Sequence, residues 1–379
     1  MRKIDALFLC LTPYQIIAAI SLKLSLNMSA DIYLTDQHVS YMEAADRLEK
    51  LAIFDRVQVI PWRKMMQKYE NTGKFSEMRR HLNRIGAYLS MEKIAKSSLI
   101  PDTEYKAMYA SSRNLNGRLI WYYFVKEKRH MDFCYFDDGE GSYDNIDKIR
   151  RVSRSDAFFR TLLFGKESTR NDYPQYLYSP DFYRIVNPND ERIELRKIPN
   201  ACADPKMKQI MNTVFPFPED AVIKERVVFI DTMRNEIGLD NAVIDQILSR
   251  ITKIFGTEEV VIKKHPRDLT PLNNEFHYYK YNGLPFETIF LNSEISSKLL
   301  VVVRSTAAIT PKLLMDQEPH VIALYKILGN YTDKMDRLYQ ACKALYRHPE
   351  HFIIPENMSE FEEALQQYRN ADLDEEDNE

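Results

Sequence analysis

Glycine is scarce in this sequence, with ten residues among 379. The phosphate loops of dinucleotide-binding and P-loop proteins need glycines at fixed spacing, because the backbone must approach the phosphate closely. The one glycine cluster, GEGS at 139–142, has Asp144 where the third glycine of G-x-G-x-x-G would stand. No Walker sequence, HExxH or GxSxG pattern occurs. These absences disfavour a dehydrogenase that binds a dinucleotide in the usual way.

Cysteine, excess charge and long apolar runs are also lacking. Cys10, Cys134, Cys202 and Cys342 lie far apart without zinc-ligand spacing, which predicts buried free thiols in a reducing compartment. The net charge of −3 lacks the basic excess of a nucleic-acid binder, so no nucleic-acid partner is expected. No apolar run reaches the roughly 20 residues that span a bilayer, and Asp5 interrupts the N-terminal run, so no signal peptide is apparent. A cytoplasmic protein is therefore predicted.

The chain does contain a regular alternation of strands and helices. Amphipathic helices are predicted at 13–24, 41–53 and 240–255, and from about Thr306. They separate apolar runs that predict strands, namely 6–11, 30–36, 56–60, 106–111, 131–138, 226–231, 258–268, 298–303 and 320–325. Continuous apolar strands between amphipathic helices are typical of parallel sheets covered on both faces.

The alternation falls into two halves separated by a proline-rich stretch. The predicted organisation is a first domain at 1–185, a connection at 186–225, a second domain at 226–356, and a C-terminal helix and acidic tail at 357–379. Two doubly wound halves predict the α/β fold called GT-B, in which two Rossmann-like domains face a central cleft. Two-domain dehydrogenases and periplasmic-type binding proteins share this outline, so the pattern predicts architecture and not chemistry.

The first candidate for chemistry is the sequence FDDGEGS at 136–142. Asp137 and Asp138 follow an apolar strand, and Gly139 permits a sharp turn after them. Ligands of open α/β sheets bind beyond the carboxyl ends of the strands, where a carboxylate could accept the proton of an attacking hydroxyl. Neighbouring residues of a strand point to opposite sides, so only one aspartate is expected to face the crevice. A helix-capping or turn aspartate is the alternative.

Three further motifs follow predicted strands or lie between them in the second half. His265 ends the run VVIKKHPRD beside Lys263 and Lys264, where it could bind a phosphate and protonate it on departure. Ser305 and Thr306 end another strand, and hydroxyls with free N–H groups at a helix start suit a phosphate. The remaining motif is LPFETIF, whose Glu287 is a lone carboxylate among apolar residues. A structural turn histidine and a simple N-cap are the alternatives for the first two.

In their order these motifs resemble those of bacterial sialyltransferases and polysialyltransferases. The shared pattern is an acidic pair before glycine, then His-Pro, Pro-x-Glu and Ser-Ser/Thr, which here are Asp137-Asp138-Gly139, His265-Pro266, Pro285-Phe286-Glu287 and Ser305-Thr306. The segments CLTPYQIIAAI (10–20) and YASSRNLN (109–116) are similar to glycosyltransferase family 52 in particular. That family includes lipooligosaccharide and capsule sialyltransferases and some glucosyltransferases. The resemblance touches most of the chain from residue 4 to about 325.

The resemblance implies a role for each matched residue. Asp137 would be the general base on the acceptor hydroxyl, and Asp138 would support it or exchange roles with it. His265 would contact the CMP phosphate and assist its departure, while Ser305 and Thr306 would hold that phosphate.

Further positions complete the implied site. Glu287 would bind the ribose hydroxyls of the nucleotide. Asp231 and Thr232 follow the first strand of the second half and could line the crevice, and Asp231 is the second candidate for the base. The remaining predicted positions are Lys264 and Pro266 for the donor, and Thr12, Pro13, Gln15, Ser112 and Asn114 for the acceptor.

The activity implied is inverting transfer of sialic acid from CMP-sialic acid to a glycan acceptor of a capsule, a lipooligosaccharide or another surface polysaccharide. No cofactor and no metal are expected, because one phosphate can be held by a histidine and hydroxyls where diphosphates usually recruit a metal. One alternative is the same fold with another nucleotide sugar, glucosyl or hexosaminyl. The other is a non-catalytic protein that binds a nucleotide or a sugar.

Two basic stretches bear on location. Residues 63–84 and 148–170 each hold seven Lys/Arg against two acidic residues. The second also holds a run of large apolar residues, namely Phe158, Phe159, Leu162, Leu163 and Phe164. Peripheral docking on anionic lipid at the inner face of the cell membrane is one interpretation. Solvated helices with one buried face are the other, and a homodimer is left open.

Overall fold

The computed structural model describes residues 2–36, 40–60, 85–90, 103–111, 115–127, 131–143, 154–170, 173–191, 193–202, 204–234, 238–265, 268, 270–329 and 331–376. The chain divides into two compact units, Met1–Val214 and Phe215–Glu379. Each unit is built on its own parallel sheet.

The sheet of the first unit has seven strands in the order β3-β2-β1-β4-β5-β6-β7, and every neighbouring pair is parallel. Its central strands are almost entirely buried, as the continuous apolar runs require. The strands are β1 (Arg2–Cys10), β2 (Ala30–Thr35), β3 (Arg56–Ile60), β4 (Thr103–Ala110), β5 (Asp132–Phe136), β6 (Gln175–Leu177) and β7 (Leu195–Lys197).

Helices pack on this sheet around a core rich in aromatic side chains. Trp121 lies at the centre of one cluster, with ring centroids 5.2 Å from those of both Phe133 and Tyr173. The described helices of this unit are α1 (Pro13–Leu26), α2 (Ser40–Leu51), one at 85–90, α3 (Leu115–Lys126), α4 (Glu140–Tyr143), α5 (Arg154–Phe164), α6 (Pro180–Val186) and α7 (Lys206–Val214).

The second unit has a five-stranded parallel sheet in the order β12-β11-β10-β8-β9. The strands are β8 (Val227–Ile230), β9 (Val260–Lys263), β10 (Leu299–Val302), β11 (His320–Ala323) and β12 (Phe352–Ile353). The described α-helices are α8 (Asn241–Phe255), α9 (Phe286–Asn292), α10 (Tyr325–Leu328), α11 (Asp333–Leu345) and α12 (Met358–Glu376).

The prediction of two Rossmann-like α/β units with parallel sheets is confirmed. The stretch predicted as a connection differs, because residues 186–214 belong to the first unit and carry β7 and α7. Met207, Met211 and Val214 are buried at helical spacing, which anchors α7. At the C-terminus the helix continues through Glu376, where an acidic tail was predicted.

Candidate active site

The two aspartates after β5 differ in burial and in their hydrogen-bond partners. Asp137 is completely buried. One of its carboxylate oxygens accepts a hydrogen bond from the backbone N–H of Gly139 at 2.9 Å. The other accepts from the Tyr143 hydroxyl and from the Tyr178 backbone N–H, the latter at 3.1 Å. Asp137 therefore ties α4 and the end of β6 to the end of β5.

Burial also changes the acidity of this carboxyl group. It raises the pKa of Asp137 to about 7, although the three hydrogen bonds oppose the shift by stabilising the anion. A side chain with no accessible surface cannot meet an acceptor hydroxyl in this conformation. The geometry thus disfavours the predicted role of Asp137 as the base and favours a role in positioning its neighbours.

The raised pKa of Asp137 predicts a stability change with pH. The unfolded chain loses this proton near the ordinary value of 3.8 and the folded chain near 7. The stabilising contribution is therefore complete below about pH 4 and is lost as the pH rises through 7. Asp137→Asn, which cannot ionise, should show a smaller fall in melting temperature between pH 5 and pH 8 than the unsubstituted protein.

Asp5→Asn is the matched control for that measurement. Lys106 holds the pKa of Asp5 at about 2, so its contribution is already complete at pH 5 and is lost only in stronger acid. The slope between pH 5 and pH 8 should then be unchanged by Asp5→Asn. An unchanged slope in Asp137→Asn would contradict the raised pKa.

Asp138 is partly exposed and is fixed by serine hydroxyls. One carboxylate oxygen accepts from the Ser111 hydroxyl at the end of β4, and the other accepts from the Ser142 hydroxyl at 2.8 Å. Gly139 has φ near 91°, which suits glycine and turns the chain into α4. A Cβ atom at Gly141 would lie 2.8 Å from the Asp138 carboxylate, so this glycine leaves room for it. Asp138 is thus a partly exposed carboxylate at the carboxyl edge of the sheet, and two serine hydroxyls fix its position.

The predicted acceptor residues divide into two kinds. Thr12 caps α1 and Pro13 begins it, and both are partly exposed at the carboxyl end of β1. Gln15 is instead buried, and its side-chain oxygen accepts from the Leu11 backbone N–H at 2.6 Å. Gln15 thus stabilises the turn from β1 into α1, which disfavours a contact with the acceptor. The other two predicted positions, Ser112 and Asn114, lie outside the described residues.

In the second unit, the end of β8 holds a buried ion pair that the sequence did not indicate. Arg234 donates from Nε to both carboxylate oxygens of Asp231, at 3.3 and 3.0 Å, and from Nη2 to one of them at 2.6 Å, while its Nη1 donates to Asn241 at 3.1 Å. Both partners are buried. Asp231 also accepts from the Thr232 backbone N–H at 2.8 Å. This pairing disfavours Asp231 as a base, because its carboxylate is committed to the guanidinium.

At the end of β9, the neighbouring residues Lys264 and His265 differ in exposure. His265 is partly exposed just beyond the strand. Lys264 is buried, lies 3.1 Å from the carboxylate of Asp268 and also bonds the Thr270 carbonyl, so it stabilises the following turn. The predicted Pro266 lies outside the described residues.

Lys263 is a fully buried cation whose ammonium group lies near Glu287. Its Nζ donates to the backbone carbonyl of Asn282 at 2.9 Å and lies 5.2 Å from the centre of the Phe286 ring. Burial lowers the pKa of Lys263 to about 8, and the charge of Glu287 opposes that shift. Burial likewise raises the pKa of the partly exposed Glu287, although a hydrogen bond from its own backbone N–H and the charge of Lys263 both act to lower it. Perturbed pairs of this kind are common at functional sites.

Beyond β10, Ser305 and Thr306 begin a short 3₁₀ turn, where a regular helix was predicted. The Ser305 hydroxyl accepts from the Ala307 backbone N–H at 3.2 Å, while Thr306 is exposed. The Tyr339 hydroxyl donates to the Ser305 carbonyl at 2.8 Å, which fixes the turn to α11. Pro311 has no N–H to continue a helical ladder, and a π-helical turn, Pro311–Met315, follows instead.

The sheet order determines which of these groups share an edge. Because β8 lies between β10 and β9, the residues after these strands meet at one carboxyl edge: Asp231 and Thr232, Lys264 and His265, and Arg304 to Thr306. In the first unit, β4 lies between β1 and β5, which brings Thr12, Ser111 and Asp138 to one edge. Sequence reasoning missed Ser111, Ser142, Tyr143, Tyr178 and Arg234, and it noted Lys263 only as a cation beside His265. Their polar atoms beside strand ends were the available signal.

The part of the chain that the structure describes contains neither a metal-binding cluster nor a membrane-spanning helix. The described histidines, cysteines, aspartates and glutamates form no group of three or more that could hold a metal ion. Within the same part of the chain, no helix combines the length and apolarity needed to cross a membrane.

Comparison with known proteins gives only distant likenesses. No family model matches the chain, and no curated protein matches it. Among solved structures, the complex between 3,4-dichloroaniline and a UDP-glucosyltransferase from Polygonum tinctorium capable of glucosylating indoxyl is similar, with 9% identity over 97% of this chain and 93% of that chain, and a TM-score of 0.46. Arabidopsis thaliana UGT89C1 in complex with UDP shares 11% identity over 97% and 94% of the two chains, with a TM-score of 0.41. Likenesses this distant carry no argument about function.

Proposed function

We propose that the chain is a glycosyltransferase that uses a nucleotide-sugar donor. The observation that supports this best is the division of chemistry between the two carboxyl edges. The first has an accessible carboxylate, Asp138, held by two hydroxyls. The second brings His265 and the hydroxyls of Ser305 and Thr306 to one edge of the sheet, at the ends of β9 and β10 on either side of β8, which suits a phosphate.

In the proposed reaction Asp138 is the general base. It accepts the proton of an acceptor hydroxyl as that oxygen forms a bond to the anomeric carbon of the donor sugar. The bond from this carbon to the phosphate oxygen breaks, and the nucleotide leaves with both electrons of that bond. His265 donates a hydrogen bond or a proton to the departing phosphate. Attack opposite the leaving group inverts the anomeric configuration.

CMP-sialic acid is the donor that the motif resemblance favours. A single phosphate matches a site made of one histidine and two hydroxyls, and Glu287 would accept hydrogen bonds from the ribose. The alternative donor is a nucleoside-diphosphate sugar carrying a glucosyl or hexosaminyl group. The two donors predict different nucleotides as the tightest ligand, CMP for the first and a nucleoside diphosphate for the second.

A thermal-shift panel tests this proposal and separates the donors. CMP, UDP and GDP should be added at equal concentration, with and without EDTA, because a ligand that binds the folded state raises the melting temperature. We expect CMP to give the largest rise, equally in EDTA, and His265→Ala to reduce it. A larger rise with UDP would select the alternative donor. No rise with any nucleotide would reject the nucleotide-sugar site.

A further inference from the structure

An apolar surface on the first unit has no part in the proposed reaction. Phe158 and Leu162 of α5 are 63% and 68% exposed, and their i,i+4 spacing places them on the same face of the helix. The end of the helix is anchored, since the buried Phe164 stacks on Tyr122 with ring centroids 5.1 Å apart. The exposed pair therefore belongs to an ordered helix and not to a fraying end.

The adjoining helix at 85–90 repeats this arrangement. Its Tyr88 is buried against Phe164, with ring centroids 5.5 Å apart. The next residue, Leu89, is 59% exposed. Two helices that share a core thus expose three large apolar side chains.

Positive charge accompanies the apolar side chains. Lys166 and Arg170 follow α5 and are exposed, and Arg170 pairs with Glu167 at 2.8 Å. Among the described side chains of residues 148–170, Arg160 is buried and donates to the Ser168 carbonyl, which leaves Lys166 and Arg170 as the exposed cations. Apolar side chains next to basic ones are the combination that binds anionic lipid at a membrane surface.

We propose that α5 and the turn after it, with the exposed side chains of Phe158, Leu162, Lys166 and Arg170, dock on an anionic lipid membrane. A stable protein partner would usually cover more than about 1,000 Å². A lipid surface needs only a few apolar side chains to insert and a local positive charge to hold them. The apolar pair inserts among the headgroups, and Lys166 and Arg170 contact lipid phosphates or carboxylates.

Sedimentation with lipid vesicles tests this proposal on the full chain. The protein should bind vesicles of phosphatidylcholine with phosphatidylserine at low salt, and bind pure phosphatidylcholine far less. Binding should weaken toward physiological salt, where the Debye length shrinks to about 8 Å. The double variant Phe158→Ser/Leu162→Ser should lower the partition coefficient by about tenfold or more, because the inserted apolar area is lost.

The matched control is Leu24→Ser/Leu26→Ser at the end of α1, where the two leucines are 37% and 53% exposed. This control should bind the vesicles as the unsubstituted protein does. Absence of binding at low salt, or equal loss in both double variants, would overturn the proposal. Light scattering tests whether a second copy of the chain occupies this surface instead. If the protein is a dimer and the Phe158/Leu162 double variant is a monomer, the surface is a contact between copies and the lipid proposal fails.

Discussion

Asp138→Asn should lower the rate constant for glycosyl transfer by about 10²-fold or more, the usual scale for loss of a general base. Asparagine has nearly the same size and can still accept from the Ser111 hydroxyl, so the fold should be retained. Nucleotide binding should change little, because the proposed donor residues belong to the other unit. The measurement is nucleotide release with donor and acceptor, together with the thermal shift that the nucleotide causes.

Asp137→Asn is the comparison that makes this result informative. Asp137 is buried and bonded to Tyr143 and to backbone N–H groups, so its replacement should act mainly on stability. If Asp137→Asn abolishes transfer at an unchanged melting temperature while Asp138→Asn remains active, the base is Asp137 and our assignment is wrong.

Gly141→Ala probes the same carboxylate without removing it. The added methyl group would lie 2.8 Å from Asp138, and Gly141 has no positive φ angle that would strain alanine. We expect the Asp138 side chain to shift and transfer to slow, with only a small change in melting temperature. A fully active Gly141→Ala enzyme would indicate that the observed position of this carboxylate is not required for turnover.

Lys263→Met should weaken binding of the preferred nucleotide by about tenfold or more. Without the nearby ammonium, the pKa of Glu287 should rise further, so fewer molecules have the anion that accepts the ribose hydroxyls. In the unsubstituted protein affinity should fall on the acid side as Glu287 is protonated, and again above about pH 8 as Lys263 loses its proton. Lys263→Met should move the acid limb to higher pH and remove the alkaline one. Calorimetric titration between pH 5 and pH 9 measures both limbs.

Lys298→Met is the matched control for this variant. Lys298 is also buried with a lowered pKa, but it precedes β10 at the amino edge of the same sheet. It should affect stability and leave the pH profile of binding unchanged. If Lys263→Met and Lys298→Met change nucleotide affinity equally, Lys263 acts through stability alone. Glu287→Gln should reproduce the loss of affinity if Glu287 binds the ribose.

The elements that could be predicted from sequence are those with long apolar or periodic runs. The strands β2, β5, β8 and β10 fall within their predicted runs because buried parallel strands need continuous apolar residues, whereas β1 begins at Arg2, before its predicted run at 6–11. Three strands were not predicted, namely β6, β7 and β12. Each has only two or three residues, too few to give a period, and each is defined by the strand it pairs with.

The candidate site was predictable only in part. The position of Asp138 at a strand end follows from the sequence. Its partner Ser111 directly follows β4, and the local sequence pattern does not show that β4 pairs with β5. Likewise, the sequence around Asp231 does not predict that Arg234 donates hydrogen bonds to its carboxylate. Which of two adjacent aspartates becomes buried depends on Tyr143 and Tyr178, which reach it through tertiary packing.

The strand order of the first unit also constrains how the chain can be assembled during synthesis. The central strand β1 pairs with β4, so that Arg2 lies opposite Thr103. Until that partner has left the ribosome, one edge of β1 has no partner from its own sheet and the apolar side chains of Leu7 and Leu9 lack part of their cover. Pairings between distant segments form slowly, and open strand edges of this kind attract other chains. A nascent chain that ends between β3 and β4 therefore still exposes the edge of β1 that later pairs with β4.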